Sequence, residues 1–223
     1  MSEEVKPPAG ARRPYDGTNR RLKAEATRRA ILQSARELFV RQGYAATTIA
    51  EIAARAGVAA DTVYASVGRK PVLLRELVET ALSGTEHSVP AEQRDYVQRI
   101  RSVSGAHEKL AVYAEAVTRI QQRLAPVFLA LRDAATTDDD CAALWKGISE
   151  RRARNMRDLA ADLRATGRLR SDLSDDDVAD IIWSMNAAEY YVLLVHQRAW
   201  SPARFTQWLT DAWTRTLLDT PAP

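Results

Sequence analysis

Apolar residues recur at helical spacing along almost the whole chain. Ile31, Ala35, Leu38 and Phe39 fall on one helical face, and similar stripes continue towards the C-terminus. Gly, Pro or short polar segments interrupt these stripes, and we find no run in which apolar and polar residues alternate as in a strand. The sequence therefore predicts an all-α protein, with a small N-terminal bundle joined to a larger C-terminal one.

Composition excludes several classes of protein. Hydrophobic residues make up 46% of the 223 residues and charged residues 27%, which are ordinary globular values. We expect no membrane span and no secretory signal, because no apolar run reaches about 18 residues and the N-terminus has no apolar core. Cys141 is the one cysteine, and His87, His107 and His196 are far apart, so we expect no disulfide, metal or cofactor. These features predict a cytoplasmic protein.

Positive charge is concentrated near the N-terminus. Residues 1–83 contain 14 Lys and Arg against 9 Asp and Glu, whereas residues 84–223 contain 18 against 20. A basic N-terminal region on a near-neutral body is typical of a protein with a polyanionic partner. A solvated surface of an Arg-rich protein explains the charge equally well.

Helix boundary signals divide the N-terminal region. A helix is predicted from Leu22 to Gly43, with the glycine as its left-handed C-terminal residue. Thr48 and Glu51 form a capping-box pattern before a short helix that Gly57 ends. Further helices are predicted over about 60–67 and 71–83, the last opening at Pro71.

Five more helices are predicted in the C-terminal region. They cover about 96–105, 106–135, 141–166, 175–198 and 202–218. Pro126 should kink or divide the second of these.

Two short helices separated by Gly57-Val58-Ala59 have the dimensions of a helix-turn-helix. Ile52, Ala53, Val58 and Val63 can fix the angle between the two helices. The start of the second helix then remains free to enter a major groove. The spacing alone also occurs in ordinary helical bundles.

Residues 28–82 resemble the DNA-binding domain of the TetR family of transcriptional repressors. The resemblance is carried by Arg29-Ala30-Ile31-Leu32, Gly43-Tyr44, Thr47-Thr48-Ile49, Ile52-Ala53, Ala56-Gly57-Val58, Thr62-Val63-Tyr64 and Lys70 with Leu73-Leu74, in the order and spacing of that family. It implies a homodimer that binds a palindromic double-stranded DNA operator and leaves it when a small-molecule inducer, of unknown identity, binds the C-terminal domain.

The resemblance also implies roles for single residues. Thr48, Tyr64 and Lys70 would contact the DNA backbone, and Ala60, Asp61 and Thr62 would face the bases. The alternatives are a plain N-cap for Thr48, a semi-buried core position for Tyr64 and a solvated lysine at 70. The predicted DNA-binding set is Thr48, Ala59, Ala60, Asp61, Thr62, Tyr64, Ser66 and Lys70.

Three features depart from the family pattern. Ser66 and Val67 stand where the family often has His or Tyr followed by Phe. Ser66 is therefore a shorter side chain for contacting the DNA backbone, and Val67 fills less of the core. Ala59 replaces the usual Ser or Thr cap. The second helix of the motif, which would be the recognition helix, has no Arg, Gln or Asn to read G or A. Base readout would therefore depend on DNA shape and on a basic arm at Arg20, Arg21 and Lys23. The alternative is that this arm is simply solvated.

The last two predicted helices carry apolar residues on two faces. All five tryptophans lie after residue 140. A helix that is apolar on two faces buries one in its own core and must bury the other against a partner. In TetR-like proteins the last two helices form a four-helix bundle across a twofold axis, whereas a monomeric core is the alternative. The predicted dimer interface is Trp183, Val192, Phe205, Trp208, Leu209 and Trp213.

A ligand pocket is predicted among the helices covering 106–198. Its candidate residues combine aromatic surface with a few polar tips, although each one is also a plausible core residue. They are Tyr113, Phe128, Trp145, Met156, Trp183, Asn186 and Tyr190. No charged residue stands out as a counter-ion for a ligand.

The sequence thus predicts a DNA-binding transcriptional regulator and not an enzyme. It contains no Glu-x-x-His pair, phosphate loop or nucleophile with a nearby base. An activator or a protein-responsive regulator is the alternative, and a helical-bundle enzyme is a more remote one. The expected organisation is a disordered arm over 1–19, a helix-turn-helix domain over 20–70, a connecting helix over 71–83 and a ligand-binding and dimerisation domain over 84–223.

Overall fold

Residues 17–84 and 89–219 are described by the computed structural model, and within these ranges the chain is helical with no β-strand. One isolated antiparallel bridge joins Leu169 to Leu218. The all-α prediction is confirmed. The expected disordered arm lies, over residues 1–16, outside the described residues.

Four helices form the N-terminal part, which we call the head. They are α1 (Gly17–Ala46), α2 (Ile49–Ala56), α3 (Ala60–Ser66) and α4 (Lys70–Ser83). Helix α1 begins five residues earlier than Leu22, the predicted start. Arg20, Arg21 and Lys23 consequently belong to the first turns of α1 rather than to an arm preceding it, and Arg21 lies 3.4 Å from Glu25 one turn later.

The C-terminal part, which we call the body, contains the remaining helices. They are α5 (Asp95–Ser102), α6 (Ala106–Ala134), α7 (Asp139–Arg164), α8 (Asp175–Met185), α9 (Ala188–Tyr191) and α10 (Pro202–Leu217), with a 3-10 turn at Ala91–Gln93 and a π-helical turn at Val192–Gln197. Helix α6 runs through Pro126 as one continuous helix and is not divided.

Gly43 interrupts α1 as a glycine can and other residues rarely do. Its φ is 81°, in agreement with the positive φ predicted, but its ψ of 167° is extended rather than left-handed helical. The chain therefore swings out and makes one more helical turn to Ala46. This turn carries Tyr44, which contacts both Lys70 of α4 and Asp138 at the start of α7.

The structure corrects one long helix into two segments. Residues 175–198 were predicted as a single helix, yet α8 ends at Met185 and the next helical segment is bent by 42° relative to it. The reason is a buried polar cluster at Asn186. Its carbonyl accepts from Gln121 Nε2 at 2.7 Å, and its side-chain amide donates to Tyr113 Oη at 2.8 Å. Such side-chain bonds compete with the helical pattern.

Helix α6 is the centre of the packing. It contacts α1 and α4 of the head as well as α5, α7, α9 and α10 of the body. The buried apolar residues of the head, such as Ile31 and Leu74, belong to the same cluster as Leu110 and Leu131 of α6. Because the head and the body share one core, a movement of α6 would alter the packing of both.

Three residues predicted for the dimer interface lie instead in the core of the protomer. Phe205, Leu209 and Trp213 are 0% exposed, and the Trp213 ring stacks on Tyr113 of α6 with centroids 5.5 Å apart. The apolar stripe of α10 that contains them packs on α6. A residue with no accessible surface cannot be buried further by a partner, so the prediction is wrong for these three.

Candidate DNA-binding surface and ligand cavity

Both ends of α2, the first helix of the helix-turn-helix, are fixed by local interactions. Thr48 Oγ1 accepts from the Glu51 amide at 3.2 Å, while the Glu51 carboxylate accepts from the Thr48 amide at 2.8 Å. These bonds hold the pKa of Glu51 below its usual value. Gly57 ends the helix at φ 69° and ψ 32°, the left-handed conformation expected of it. The predicted capping box and C-terminal glycine are confirmed.

One face of α3 is buried and the other is available to a partner. Val63 is fully buried against the head, whereas Asp61 is exposed and the Tyr64 ring is 52% exposed. Tyr64 is therefore not a core tyrosine. Ala59 caps α3 without a side-chain hydrogen bond, in keeping with the absence of Ser or Thr at that position.

Most of the predicted DNA-binding residues keep accessible surface. Ala59 and Thr48 are exposed, and Ala60, Thr62, Ser66 and Lys70 are half-buried. The Ser66 carbonyl accepts from Arg28 Nη1 at 2.7 Å, and Arg28 also pairs with Glu76 of α4. Sequence reasoning missed Arg28 as the residue that ties the end of α3 to both α1 and α4.

The Lys70 ammonium is docked on Tyr44. Its Nζ donates to the Tyr44 carbonyl at 2.8 Å and lies 4.2 Å from the ring centroid. Partial burial lowers the pKa of Lys70. An ammonium has three donors, so two remain for a phosphate oxygen.

Tyr44 continues this contact into the body. Its hydroxyl donates to Asp138 Oδ2 at 2.8 Å, and Asp138 Oδ1 accepts from the Cys141 amide at 3.0 Å as the N-cap of α7. Burial and the bond to Asp138 raise the pKa of Tyr44. Burial opposes ionisation of Asp138 as well, but the bonds from Tyr44 and Cys141 outweigh it and lower its pKa. The head therefore touches the body through a bonded series, Lys70, Tyr44 and Asp138.

A cavity of about 450 Å³ lies between α5, α6 and α7. Its size is within the range of small-molecule sites. Apolar and aromatic side chains form most of the wall, and carboxylates stand among them. The principal lining residues are Glu92, Tyr96, Ile100, Arg101, Tyr113, Met156, Asp158, Leu159 and Asp162.

Only two of the predicted ligand residues, Tyr113 and Met156, line this cavity. Asn186 lies behind them, since its side-chain amide donates to both, and Trp183 is not part of the lining. Phe128 and Trp145 pack on each other with ring centroids 4.4 Å apart and are not part of the lining. Tyr190 is 38% exposed on the outside of the body, which corrects its placement in a pocket. The contribution of α5 was missed because that helix is short and mostly polar.

Arg152 is a second residue that the sequence did not single out. It donates to the Trp183 carbonyl at 3.0 Å, bonds the Asn186 side chain and lies 5.0 Å from the Trp183 ring centroid. Burial lowers its pKa. Arg152 of α7 thus stabilises the end of α8, where the helix is interrupted before α9.

An apolar face of the body has no partner within the described part of the protomer. Leu193 is 50% exposed, and Tyr190 packs its ring 5.6 Å from that of Trp208. Trp200 lies 6.3 Å from Trp208 and is covered by the Arg204 guanidinium at 4.1 Å. We call Tyr190, Leu193, Trp200 and Trp208 the aromatic face. Of the predicted interface, Trp208, Trp183 and Val192 keep partly accessible surface.

The described residues contain no arrangement typical of a metal site or of a single membrane-spanning helix. No group of three or more His, Cys, Asp or Glu in residues 17–84 and 89–219 is arranged to hold a metal ion. In the same ranges no single helix is long and apolar enough to cross a membrane, although the bent pair from Asp175 to Gln197 has sufficient length and apolar composition.

Comparison with known proteins decides what kind of domain the head is. Residues 31–77 match a family model described as bacterial regulatory proteins of the tetR family. The match covers α2, α3, the C-terminal part of α1 and the first half of α4. The head therefore contains the DNA-binding domain of the tetR family of bacterial regulatory proteins, as the resemblance in the sequence implied.

Solved structures extend the likeness to the body. The MbdR regulator from Azoarcus sp. CIB is 23% identical with a TM-score of 0.67, over 86% of this chain and 100% of that one. NalD, the secondary repressor of the MexAB-OprM multidrug efflux pump in Pseudomonas aeruginosa, is 20% identical with a TM-score of 0.64, over 90% and 100%. A protein from Saccharomonospora viridis solved in complex with choline is 20% identical with a TM-score of 0.65, over 86% and 98%. These likenesses establish the fold. No curated protein matches the chain.

Proposed function

We propose that this TetR-family regulator is a repressor, which binds a palindromic operator as a homodimer and is released by a small molecule bound in the body. The observation that carries the proposal is the continuity of the head with a body that contains a cavity. Helix α4 starts at Lys70 and packs on α6, and α6 also supplies Tyr113 to the cavity wall. The solved relatives, a repressor and a choline complex among them, support the same interpretation.

Under this proposal residues 20–70 are the DNA-binding domain, 71–83 the connecting helix and 84–223 the ligand-binding and dimerisation domain. The aromatic face supplies the dimer contact, because an exposed cluster of this kind is typical of a protein-protein interface. Two heads related by a twofold axis would meet successive major grooves about 34–36 Å apart. A ligand that favours another spacing of the heads would weaken operator binding.

Selection from a random duplex pool tests the proposal without knowledge of the operator. The full chain is incubated with the pool at moderate salt, bound duplexes are recovered over several rounds, and the recovered sequences are aligned. We expect an inverted repeat with half-sites about one helical turn apart. Asp61→Ala should change base preference at one position in each half-site, whereas Asp180→Ala, an exposed acid on α8, should not.

A reporter measures the direction of regulation. The recovered repeat is placed between a promoter and a reporter gene, and expression is compared with and without the protein. Lower expression supports repression. Higher expression would identify an activator, and a pool with no enriched repeat would contradict the docking of α3.

A further inference from the structure

We infer that the cavity between α5, α6 and α7 takes a ligand with an apolar or aromatic body and a hydrogen-bond-accepting oxygen, of a carbonyl or a carboxylate group, at its inner end. The inference rests on the proposed function, since it names the ligand class of the same cavity. It starts from Met156 in the wall, whose sulfur accepts two hydrogen bonds.

Both bonds to the sulfur come from buried polar groups. Tyr113 Oη donates to Met156 Sδ at 3.2 Å, and Asn186 Nδ2 donates to the same atom at 3.3 Å. The three side chains belong to residues that are at most 6% exposed. A thioether is a weak acceptor, so two strong donors at the cavity wall have a poor partner.

Arg152 fixes the orientation of the Asn186 amide. A guanidinium can only donate, so its bond to the Asn186 side chain is accepted by Oδ1. The amide nitrogen therefore points towards Tyr113 and Met156, and it donates to Tyr113 Oη at 2.8 Å. Burial raises the pKa of Tyr113, so its hydroxyl stays protonated at physiological pH and donates in turn. The groups in contact with the sulfur thus present donors.

The fixed charge close to these donors is positive. Arg152 bonds a backbone carbonyl and the Asn186 amide, which are both neutral. Glu189, the acid whose charge acts on Arg152, is itself paired with Arg132 at 3.1 Å. The charge of Arg152 acts against the effect of burial on the pKa of Tyr113. Oxygen acceptors, neutral or anionic, are favoured in such surroundings.

The charged side chains of the cavity lie mainly at its mouth. Glu92, Asp158 and Arg101 are exposed, so water screens their effect on a group at the inner end. Most of the remaining wall is apolar or aromatic and suits the body of the ligand. It includes Tyr96, Val97, Ile100 and Leu159.

A ligand oxygen would take the place of the thioether. Methionine is flexible, so the Met156 side chain can turn aside. The oxygen would then accept from Tyr113 Oη and Asn186 Nδ2, and a carbonyl or carboxylate oxygen has the two lone pairs that this requires. An ammonium group would bring donors to donors and find no acceptor in this pair.

Three probes with one skeleton test the acceptor. Each has a phenyl ring on a chain of methylene groups, and the chain ends in a methyl ketone, in the alkene with a methylene group in place of the ketone oxygen, or in the corresponding ammonium. Their affinities for the full chain, without DNA, are measured by equilibrium dialysis. We expect the ketone to bind about 10-fold more tightly than the alkene, because two donors exchange sulfur for oxygen.

The sign of that preference is decisive. A cavity without directed donors would favour the alkene, which is the more hydrophobic probe. Equal or tighter binding of the alkene, or of the ammonium, would overturn the inference. Phenylpentanoate then separates the two sources of the oxygen: binding tighter than that of the ketone identifies a carboxylate, and weaker binding identifies a neutral carbonyl.

Conservative variants locate the acceptor. Tyr113→Phe removes one donor and should reduce the preference for the ketone about 3-fold. Met156→Leu removes the competing sulfur at similar volume and should increase the preference. Tyr96→Phe, which removes the other hydroxyl of the lining, is the matched control and should leave it unchanged. A preference lost in Tyr96→Phe but kept in Tyr113→Phe would overturn the inference.

An infrared spectrum of the bound ketone needs no variant. Two hydrogen bonds should shift the carbonyl stretching band of the ketone, bound to the wild-type protein, below its frequency in hydrocarbon solvent. A band at the hydrocarbon frequency would show that the oxygen has no donor and would overturn the inference.

Operator release is measured separately, with the selected duplex and the tighter of the two oxygen-bearing probes. Release supports both the ligand class and the proposed function. A preference for the oxygen-bearing probe with no effect on the operator complex would support the ligand class and contradict ligand-controlled release.

Discussion

Lys70 combines two tasks at the first turn of α4, because its ammonium is docked on Tyr44 and still has donors free. We expect Lys70→Ala to weaken binding to every DNA sequence and to lower the slope of log affinity against log salt by about one. Binding is measured by fluorescence anisotropy at several salt concentrations. Lys146→Ala, an exposed lysine of α7, removes the same charge and should leave the slope unchanged. An unchanged slope for Lys70→Ala would show that this ammonium does not contact phosphate.

Tyr44 is the residue through which the start of α4 meets the N-cap of α7. A hydrogen bond to a charged group contributes about 1.5–3 kcal/mol, so Tyr44→Phe and Asp138→Asn should show a coupling free energy of about 1 kcal/mol or more in a double-mutant cycle. The free energy of unfolding is measured in denaturant. Asp140→Asn is the matched control, since Asp140 contacts Arg69 at 3.6 Å and not Tyr44. Equal coupling in both cycles would remove the special role of the Tyr44 hydroxyl.

The two tryptophans of α10 lie on opposite sides of that helix, and their fates under substitution should differ. Trp208→Glu places a charge on the aromatic face, which is partly accessible in the protomer and would be fully buried in a dimer, so we expect a folded monomer. Trp213→Glu places a charge in the protomer core and should give unfolded or insoluble protein. Sedimentation gives the oligomeric state and circular dichroism the helix content.

Val40→Glu is the control for that pair, because Val40 is 47% exposed but lies on the head. It should leave the oligomeric state unchanged. A Trp208→Glu protein that sediments like the wild type would place the dimer contact elsewhere.

The elements most accurately predicted from the sequence are those whose ends depend on local chemistry. Thr48 caps α2 with reciprocal bonds to Glu51 and Gly57 ends α2, both as expected, and Ser174 caps α8 in the same way. The break at Asn186 could not be predicted, because its partners Gln121, Tyr113 and Arg152 are distant in sequence. The same limitation applies to the cavity and to the two sides of α10, since an apolar stripe does not reveal which neighbour covers it.

Over the whole molecule, several carboxylates have a lowered pKa in the folded protein. Bonds from Thr48 hold Glu51 below its usual pKa, bonds from Ser174 do the same for Asp177, and Asp138 is lowered despite its burial. The unfolded chain therefore binds these protons more readily than the folded one. This contribution to stability is fully present above the unfolded pKa values of about 4 and is lost as the pH falls through the folded values.

We therefore expect the free energy of unfolding, at fixed protein concentration, to change little between about pH 5 and 8 and to fall steeply below about pH 4. Denaturant titrations at a series of pH values measure it. A variant with Glu51→Gln and Asp177→Asn should lose less stability over the acid range. Equal stability at about pH 3 and 7 would contradict the assignment of these bonds.

Helix α7 reaches from the cavity to the head without interruption, and its length makes it a lever. Asn155, the first of its residues to line the cavity, lies about 25 Å along the axis from Asp138 at the other end. A tilt of about 2° about the cavity end would move Asp138 by on the order of 1 Å. That displacement carries a hydrogen bond of 2.8 Å past the distance at which it holds. Under the proposed function, a ligand that moved α7 by this amount would break the bond between the Tyr44 hydroxyl and Asp138, which helps to hold the Tyr44 ring beside the Lys70 ammonium.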